Sequence, residues 1–239
     1  MSEEITVQSD SHSSPSEHQE YSVFAQMLAE YLGSLFLVMA AISPIILFHH
    51  SFKTDIGLAV LADALAVGFV LFALIEMFGP VSGAHFNPAV SLAMALNGQL
   101  RWRLAVGYML VQVAGGLTGT LCSHLMFFHE NPTLFTLSDV ARSGGNYVSE
   151  LLGTFVMVLA ILLLVAHQST RISFVVGLLV GGQLIATSST MFSNPQVTLA
   201  RIFTYAAAGV QPIDGLVFIL MEILAAMLAV AVFAVMRRK

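Results

Sequence analysis

The sequence predicts an all-α integral membrane protein in which six transmembrane helices and two re-entrant half-helices form an inverted repeat. Three observations predict it. Hydrophobic residues make up 57% of the 239-residue chain and charged residues only 10%, with a mean hydropathy of +0.85, too few charges to coat a soluble domain. The segments Ser82-Gly83-Ala84-His85-Phe86-Asn87-Pro88-Ala89-Val90-Ser91-Leu92-Ala93 and Met191-Phe192-Ser193-Asn194-Pro195-Gln196-Val197-Thr198-Leu199-Ala200 share the core Asn-Pro-x-Val-Ser/Thr-Leu-Ala. Finally, Glu30-Tyr31-Leu32-Gly33-Ser34 recurs as Glu150-Leu151-Leu152-Gly153-Thr154.

Residues 1–22 read as a disordered, acidic, cytoplasmic tail. Glu3, Glu4, Asp10, Glu17 and Glu20 precede residue 21 without a Lys or Arg among them, so the net charge of −5 belongs to the tail. Such a segment is too polar to fold alone. It also lacks the basic and apolar regions of a signal peptide. Cys122 is the only cysteine, which excludes an intrachain disulfide.

The channel domain, residues 23–239, divides into a first repeat over 23–128 and a second over 147–239. A helix needs roughly 20 apolar residues to cross the hydrocarbon layer, and spans are expected at about 24–48, 57–78, 104–128, 147–166, 172–190 and 213–236. The two Asn-Pro segments lie between the second and third spans and between the fifth and sixth. Polarity returns too soon, at Asn97-Gly98-Gln99 and at Gly209-Val210-Gln211-Pro212, for either to cross. Each must therefore enter and leave on one side. Asn is a good helix N-cap and Pro a good first helical residue, so each segment starts a short helix on a capped turn. Three spans per half is an odd number, so the halves lie inverted, with half-helices entering from opposite faces.

Basic residues orient the chain. With the N-terminus inside, the cytoplasmic segments hold Arg101, Arg103, Arg171, Arg237, Arg238 and Lys239, and the outer loops hold only Lys53 and Arg142. Both termini are then cytoplasmic.

Half-helices meeting at the midplane would bring together two N-termini, each with about half a positive charge and unpaired N–H donors. Such a site repels cations and protons and donates to a passing oxygen. Asn87 and Asn194 are expected to cap their helices with side-chain oxygens and to point their amides into the lumen. The sequence shows no nucleotide loop, metal-ligand cluster or nucleophile with its base. It points to no enzyme, cofactor, metal or nucleic-acid partner, and to a passive channel among membrane lipids for water and small neutral solutes.

With these motifs in hand, the chain resembles the aquaporin and glycerol-facilitator family of major intrinsic proteins over residues 21–239. The resemblance implies one pore per subunit, a homotetramer and a place in the plasma (inner) membrane. It assigns Glu30 and Glu150 to bonding the backbone of the re-entrant loops. It sets Asn87, Pro88, Ala89, Asn194, Pro195 and Gln196 at the midplane, with Gly83, Ala84, His85, Phe86 and Val90 along the pore and the carbonyls of Gly83 to Phe86 serving as solute acceptors. Gln196 stands where the family has a small Ala.

The family's second motif places Arg three residues after the Asn, and here that position is Val197. The filter is expected to be Val67, Gly182 or Gln183, Met191 and Val197, a wide apolar ring. Arg201, one turn past Val197, would lean back over it, held by Asp63, itself one turn before Val67, as a bidentate partner. The Val-Thr-Leu-Ala-Arg run is similar to that of microbial members linked with metalloid solutes such as arsenite. Glycerol or arsenous acid would suit such a ring. Glu76 and Glu222 are two further intramembrane carboxyls. They keep open the alternative of a proton-coupled secondary transporter, and a closed scaffold is a third possibility.

Overall fold

The computed structural model describes residues 21–237; all but the last two residues of the expected tail lie outside it. The chain forms helices α1 (Val23–Ile45), α2 (Ile56–Ser82), α3 (Pro88–Leu96), α4 (Trp102–Met126), α5 (Gly144–Ala166), α6 (Ile172–Ala186), α7 (Pro195–Arg201) and α8 (Pro212–Met236), and α1 runs on as a π-helical segment over Ile46–Ser51. No strand occurs among the described residues. Both half-helices begin as the motifs dictate. Asn87 accepts from the Ala89 N–H at 2.9 Å and Asn194 from the Gln196 N–H at 3.2 Å, each with Pro as the first helical residue.

The helix pairs exchange when the halves are exchanged. α1 packs along α4 as α5 packs along α8, α7 rests on α4 as α3 rests on α8, and α2 meets α6. The last pair crosses at small residues. A Cβ on Gly68 would stand 3.1 Å from the Gly177 carbonyl oxygen, and one on Gly177 would stand 2.8 Å from that of Gly68. Only glycine permits this approach.

One span departs from expectation. Among the described residues five helices are long and apolar enough to cross a membrane, whereas α6 has 15 residues and covers only about 22 Å at 1.5 Å per residue. It ends at Thr187, whose extended backbone hands the chain to the second re-entrant loop.

Candidate functional site

The two loops entering the half-helices have the same construction. Ala84 and Phe86 in the first, and Met191 and Ser193 in the second, have positive φ. These positions lie three and one residues before each Asn. A left-handed non-glycine residue costs about 1 kcal/mol or more, so something must hold these backbones. The glutamates of α1 and α5 do so. Glu30 accepts from the His85 and Phe86 N–H groups at 2.9 and 2.7 Å. Glu150 accepts from the Phe192 and Ser193 N–H groups at 2.9 and 2.7 Å. Both carboxyls are fully buried, and each amide they accept offsets the desolvation that burial imposes.

Behind each glutamate stands a polar side chain from the neighbouring long helix. In the first half Gln112 donates to Glu30 at 2.7 Å and to Ser91 at 3.0 Å. In the second half the corresponding place holds Glu222, whose Oε1 accepts from Thr198 at 2.6 Å while its Oε2 has no partner. Glu76 accepts from Ser173.

At the junction the loops bind one another. The Asn87 Nδ2 donates to the Ser193 carbonyl oxygen at 2.8 Å, and the Asn194 Nδ2 donates to that of Phe86 at 2.9 Å. The amides were expected to face the lumen. Both asparagines line the cavity described below, but one proton of each closes the junction, and one N–H per asparagine is left. The Phe86 carbonyl also accepts from the Gln196 Nε2 at 3.2 Å, so both of its lone pairs are engaged. Phe86 is thus removed from the expected acceptor ladder, and its fully buried ring packs against Phe78 and Gly33 instead of lining a pore. Gln196 fits where Ala is usual because Gly116 faces it. A Cβ there would overlap its Oε1 and approach its carbonyl oxygen to 3.3 Å.

A cavity enclosing about 900 Å³, part of it open to solvent, runs from Val165 and Ile172 past the asparagines to Arg201. Its apolar walls are one-turn ladders: Leu37 and Ala41 on α1, Val67, Leu71 and Ile75 on α2, Met157, Ile161 and Val165 on α5, and Ile172, Val176, Val180 and Leu184 on α6. Gly83, Ala84, His85, Asn87, Val90, Met191, Asn194, Val197 and Arg201 complete it, together with Met94, Phe192 and Ser193. Pro88, Ala89, Pro195 and Gln196 do not reach it. The His85 Nδ1 lies 3.1 Å from the Ser91 hydroxyl.

Two filter expectations are corrected. Gly182 lies outside the cavity, on a surface groove with Phe69, Leu178 and Ile185, and Leu184 takes the wall. The reason is a difference between the halves: 109 residues separate the facing Gly68 and Gly177, but 107 separate the two asparagines. The stretch from α6 to the second motif is therefore two residues short, and counting slips from Leu184 to Gly182. The side chain of Gln183 turns toward Gly153, Ser193 and Met191. The ring is thus narrower than a glycine would leave it.

The second correction concerns Asp63, which is no clamp for Arg201 and does not line the cavity. Among the described residues no ion pair joins them, and the Asp63 Oδ1 has no partner. Arg201 donates its Nε to the Ala208 carbonyl at 2.5 Å and lays its guanidinium 3.8 Å from the Phe192 ring centroid. The loop pulls it there because buried guanidinium N–H groups need acceptors and the Phe192 face offers a cation–π contact. Arg142, from the α4–α5 loop, approaches the same ring at 5.4 Å and donates to the Gly209 carbonyl at 3.0 Å. Burial pulls the pKa of its guanidinium down, and Glu150 and Asp214 act against that.

Sequence reasoning missed Leu184, Phe192 and Arg142. The four-residue spacing of Ile172, Val176, Val180 and Leu184 was the signal for the first. Nothing in the sequence marks the other two, which the loop fold brings together.

A sequence profile of the family described as Major intrinsic protein matches residues 17–193. The chain is 38% identical over 213 residues to aquaglyceroporin AqpS of Rhizobium meliloti (strain 1021), covering 89% of this chain and 90% of that protein. It is 31% identical to glycerol uptake facilitator protein 3 of Lactiplantibacillus plantarum, over 61% of this chain and 65% of that one. In fold it is similar to the aquaglyceroporin from Plasmodium falciparum, with a TM-score of 0.65 at 20% identity, covering 89% of this chain and 94% of the other. The profile match and the AqpS alignment span most of the chain, and the chain belongs to the major intrinsic protein family.

Proposed function

We infer that the chain is a passive channel for water and small uncharged polar solutes of the glycerol type, excluding ions and protons. The observation that carries this reading is the cavity itself. Apolar ladders on α1, α2, α5 and α6 form most of its wall, and Asn87, Asn194 and Arg201 supply donors along it. A few donors on an apolar wall suit a solute with hydroxyls on one side and carbon on the other. The relatives named aquaglyceroporin and glycerol uptake facilitator support the same solute class.

In this reading Glu30 and Glu150 hold the loops, Asn87 and Asn194 mark the midplane, and Val67, Leu184, Met191, Val197 and Arg201 form the filter. Arg201 stands in for the arginine that Val197 replaces. The assembly is a homotetramer in the plasma (inner) membrane with both termini cytoplasmic, and the basic-residue distribution supports that orientation. Neutral metalloid hydroxides such as arsenous acid are a second solute class, supported by the Val-Thr-Leu-Ala-Arg run.

Stopped-flow light scattering on proteoliposomes, challenged in turn with sucrose, glycerol, urea and arsenous acid, tests this. Protein-dependent water and glycerol flux without an ion gradient is expected. A proton or cation current that scales with protein amount overturns it.

A further inference from the structure

The two loop-holding glutamates are supplied differently. In the first half every acceptor position of Glu30 is filled: Oε1 accepts from the Ser82 hydroxyl at 2.6 Å and the His85 N–H at 2.9 Å, and Oε2 from the Phe86 N–H and the Gln112 amide, both at 2.7 Å. In the second half each oxygen of Glu150 takes one loop amide, from Phe192 and from Ser193. One acceptor position per oxygen is left over. The side chain standing where Gln112 stands is Glu222, and its carboxyl faces that of Glu150. Both residues are fully buried. The Glu222 Oε1 is occupied by the Thr198 hydroxyl, and its Oε2 has no partner.

Two carboxylates in this position would set oxygen against oxygen and charge against charge in a buried place. The surroundings supply no remedy. α8 packs against α3, α5 and α7. α3 carries no ionisable residue. α5 brings Tyr147 and Glu150, and the Tyr147 hydroxyl is spent on Asp214. α7 brings Arg201, whose guanidinium is engaged by the Ala208 carbonyl and the Phe192 ring. Arg142, on the loop before α5, is engaged by the Gly209 carbonyl. On α8 itself Asp214 lies eight residues from Glu222, about 12 Å along the axis. Among the described residues no cationic side chain bonds either carboxyl, so only a proton can reconcile the two.

We propose that the Glu150–Glu222 pair holds one proton in the folded protein, carried on the Glu222 Oε2 and donated to Glu150 as the Gln112 amide is donated to Glu30. Glu222 is then a positioning residue for the second re-entrant loop. It steadies the carboxylate that holds the Phe192 and Ser193 amides, and through them Met191 and Asn194 at the cavity wall. The proton also leaves one negative charge behind each half-helix instead of two behind α7, which preserves the positive potential of its N-terminus. The proton assignment stands apart from the channel reading; only its consequence for permeation rests on that reading.

Infrared spectroscopy of the full-length protein in liposomes at neutral pH tests it. Wild type should show the carbonyl stretch of a protonated buried carboxyl, and Glu222→Gln should lose that intensity. Absence of the band from wild type overturns the proposal without any variant, and an unchanged band in Glu222→Gln overturns it too. Thermal unfolding in detergent supplies a second readout. An unfolded glutamate is ionised above about pH 5, so the folded protein would bind one proton more than the unfolded chain. Wild-type stability should therefore fall relative to Glu222→Gln as the pH rises from about 5.5 to about 7.5, about tenfold in the unfolding equilibrium per pH unit. Parallel pH profiles for the two proteins overturn the proposal. Wild-type vesicles that pass neither water nor glycerol would defeat the channel reading and leave the infrared band in place, so the two failures are distinct.

Discussion

The side-chain amide of Asn194 donates to the carbonyl oxygen of Phe86 at 2.9 Å, tying the cap of one half-helix to the loop that begins the other. Its counterpart, from Asn87 to Ser193, closes the junction from the opposite side at 2.8 Å. Neither half-helix is positioned by its own repeat alone.

This reciprocity makes Asn194→Asp a structural as well as an electrostatic change. The cap acceptor survives, but the donor to Phe86 is replaced by an oxygen facing an oxygen. A loss of about 1–3 kcal/mol is expected, read as a lowered thermal midpoint in detergent. Cation leak through proteoliposomes should rise at the same time. A variant with wild-type midpoint and intact cation exclusion would contradict the arrangement.

Gly116 and Gln196 should behave as a coupled pair. Gly116→Ala drives a methyl into the Gln196 amide, and overpacking of this kind costs about 1–3 kcal/mol. Gln196→Ala vacates the space, so the double variant should regain most of that loss. The midpoints of the four proteins give the coupling, and additive effects would show that the two do not press on each other.

Glu222→Gln reproduces in the second half what Gln112 does in the first. An amide can donate to Glu150 while its oxygen still accepts from Thr198, and the orphaned Oε2 disappears. The variant should match or exceed wild-type stability, by about 1 kcal/mol. Glu150→Ala removes the acceptor of two loop amides and should cost about 3 kcal/mol or more. Thermal unfolding of both variants distinguishes them, and a Glu222→Gln protein as unstable as Glu150→Ala would refute the symmetry argument.

Substitution on α6 separates the wall from the surface. Leu184→Trp fills part of the cavity and should abolish most glycerol flux, whereas Gly182→Leu adds bulk only to the outer groove and should leave permeability unchanged. Stopped-flow measurement of both decides between Leu184 and Gly182 as the wall residue.

The helices, their caps and their inversion were legible in the sequence because each rests on local chemistry. Apolar length marks the spans, Asn-Pro starts the half-helices, and the repeated Glu-x-x-Gly-Ser/Thr announces two matching elements. What the tertiary structure decided is where donors and acceptors go once those elements meet. The two-residue deficit before Asn194 makes a count back from the motif land on Gly182, whereas the one-turn ladder of α6 puts Leu184 on the wall, and only the crossing of Gly68 with Gly177 reveals that offset. Arg201 was expected to reach for Asp63. A buried guanidinium takes the nearest acceptor and the nearest aromatic face, and loop closure, which helix periodicity cannot anticipate, supplied Ala208 and Phe192. The amides of Asn87 and Asn194 likewise bind carbonyls more than 100 residues away. Such pairings are set by how the two halves dock, so local sequence specified the helices and docking assigned their polar groups.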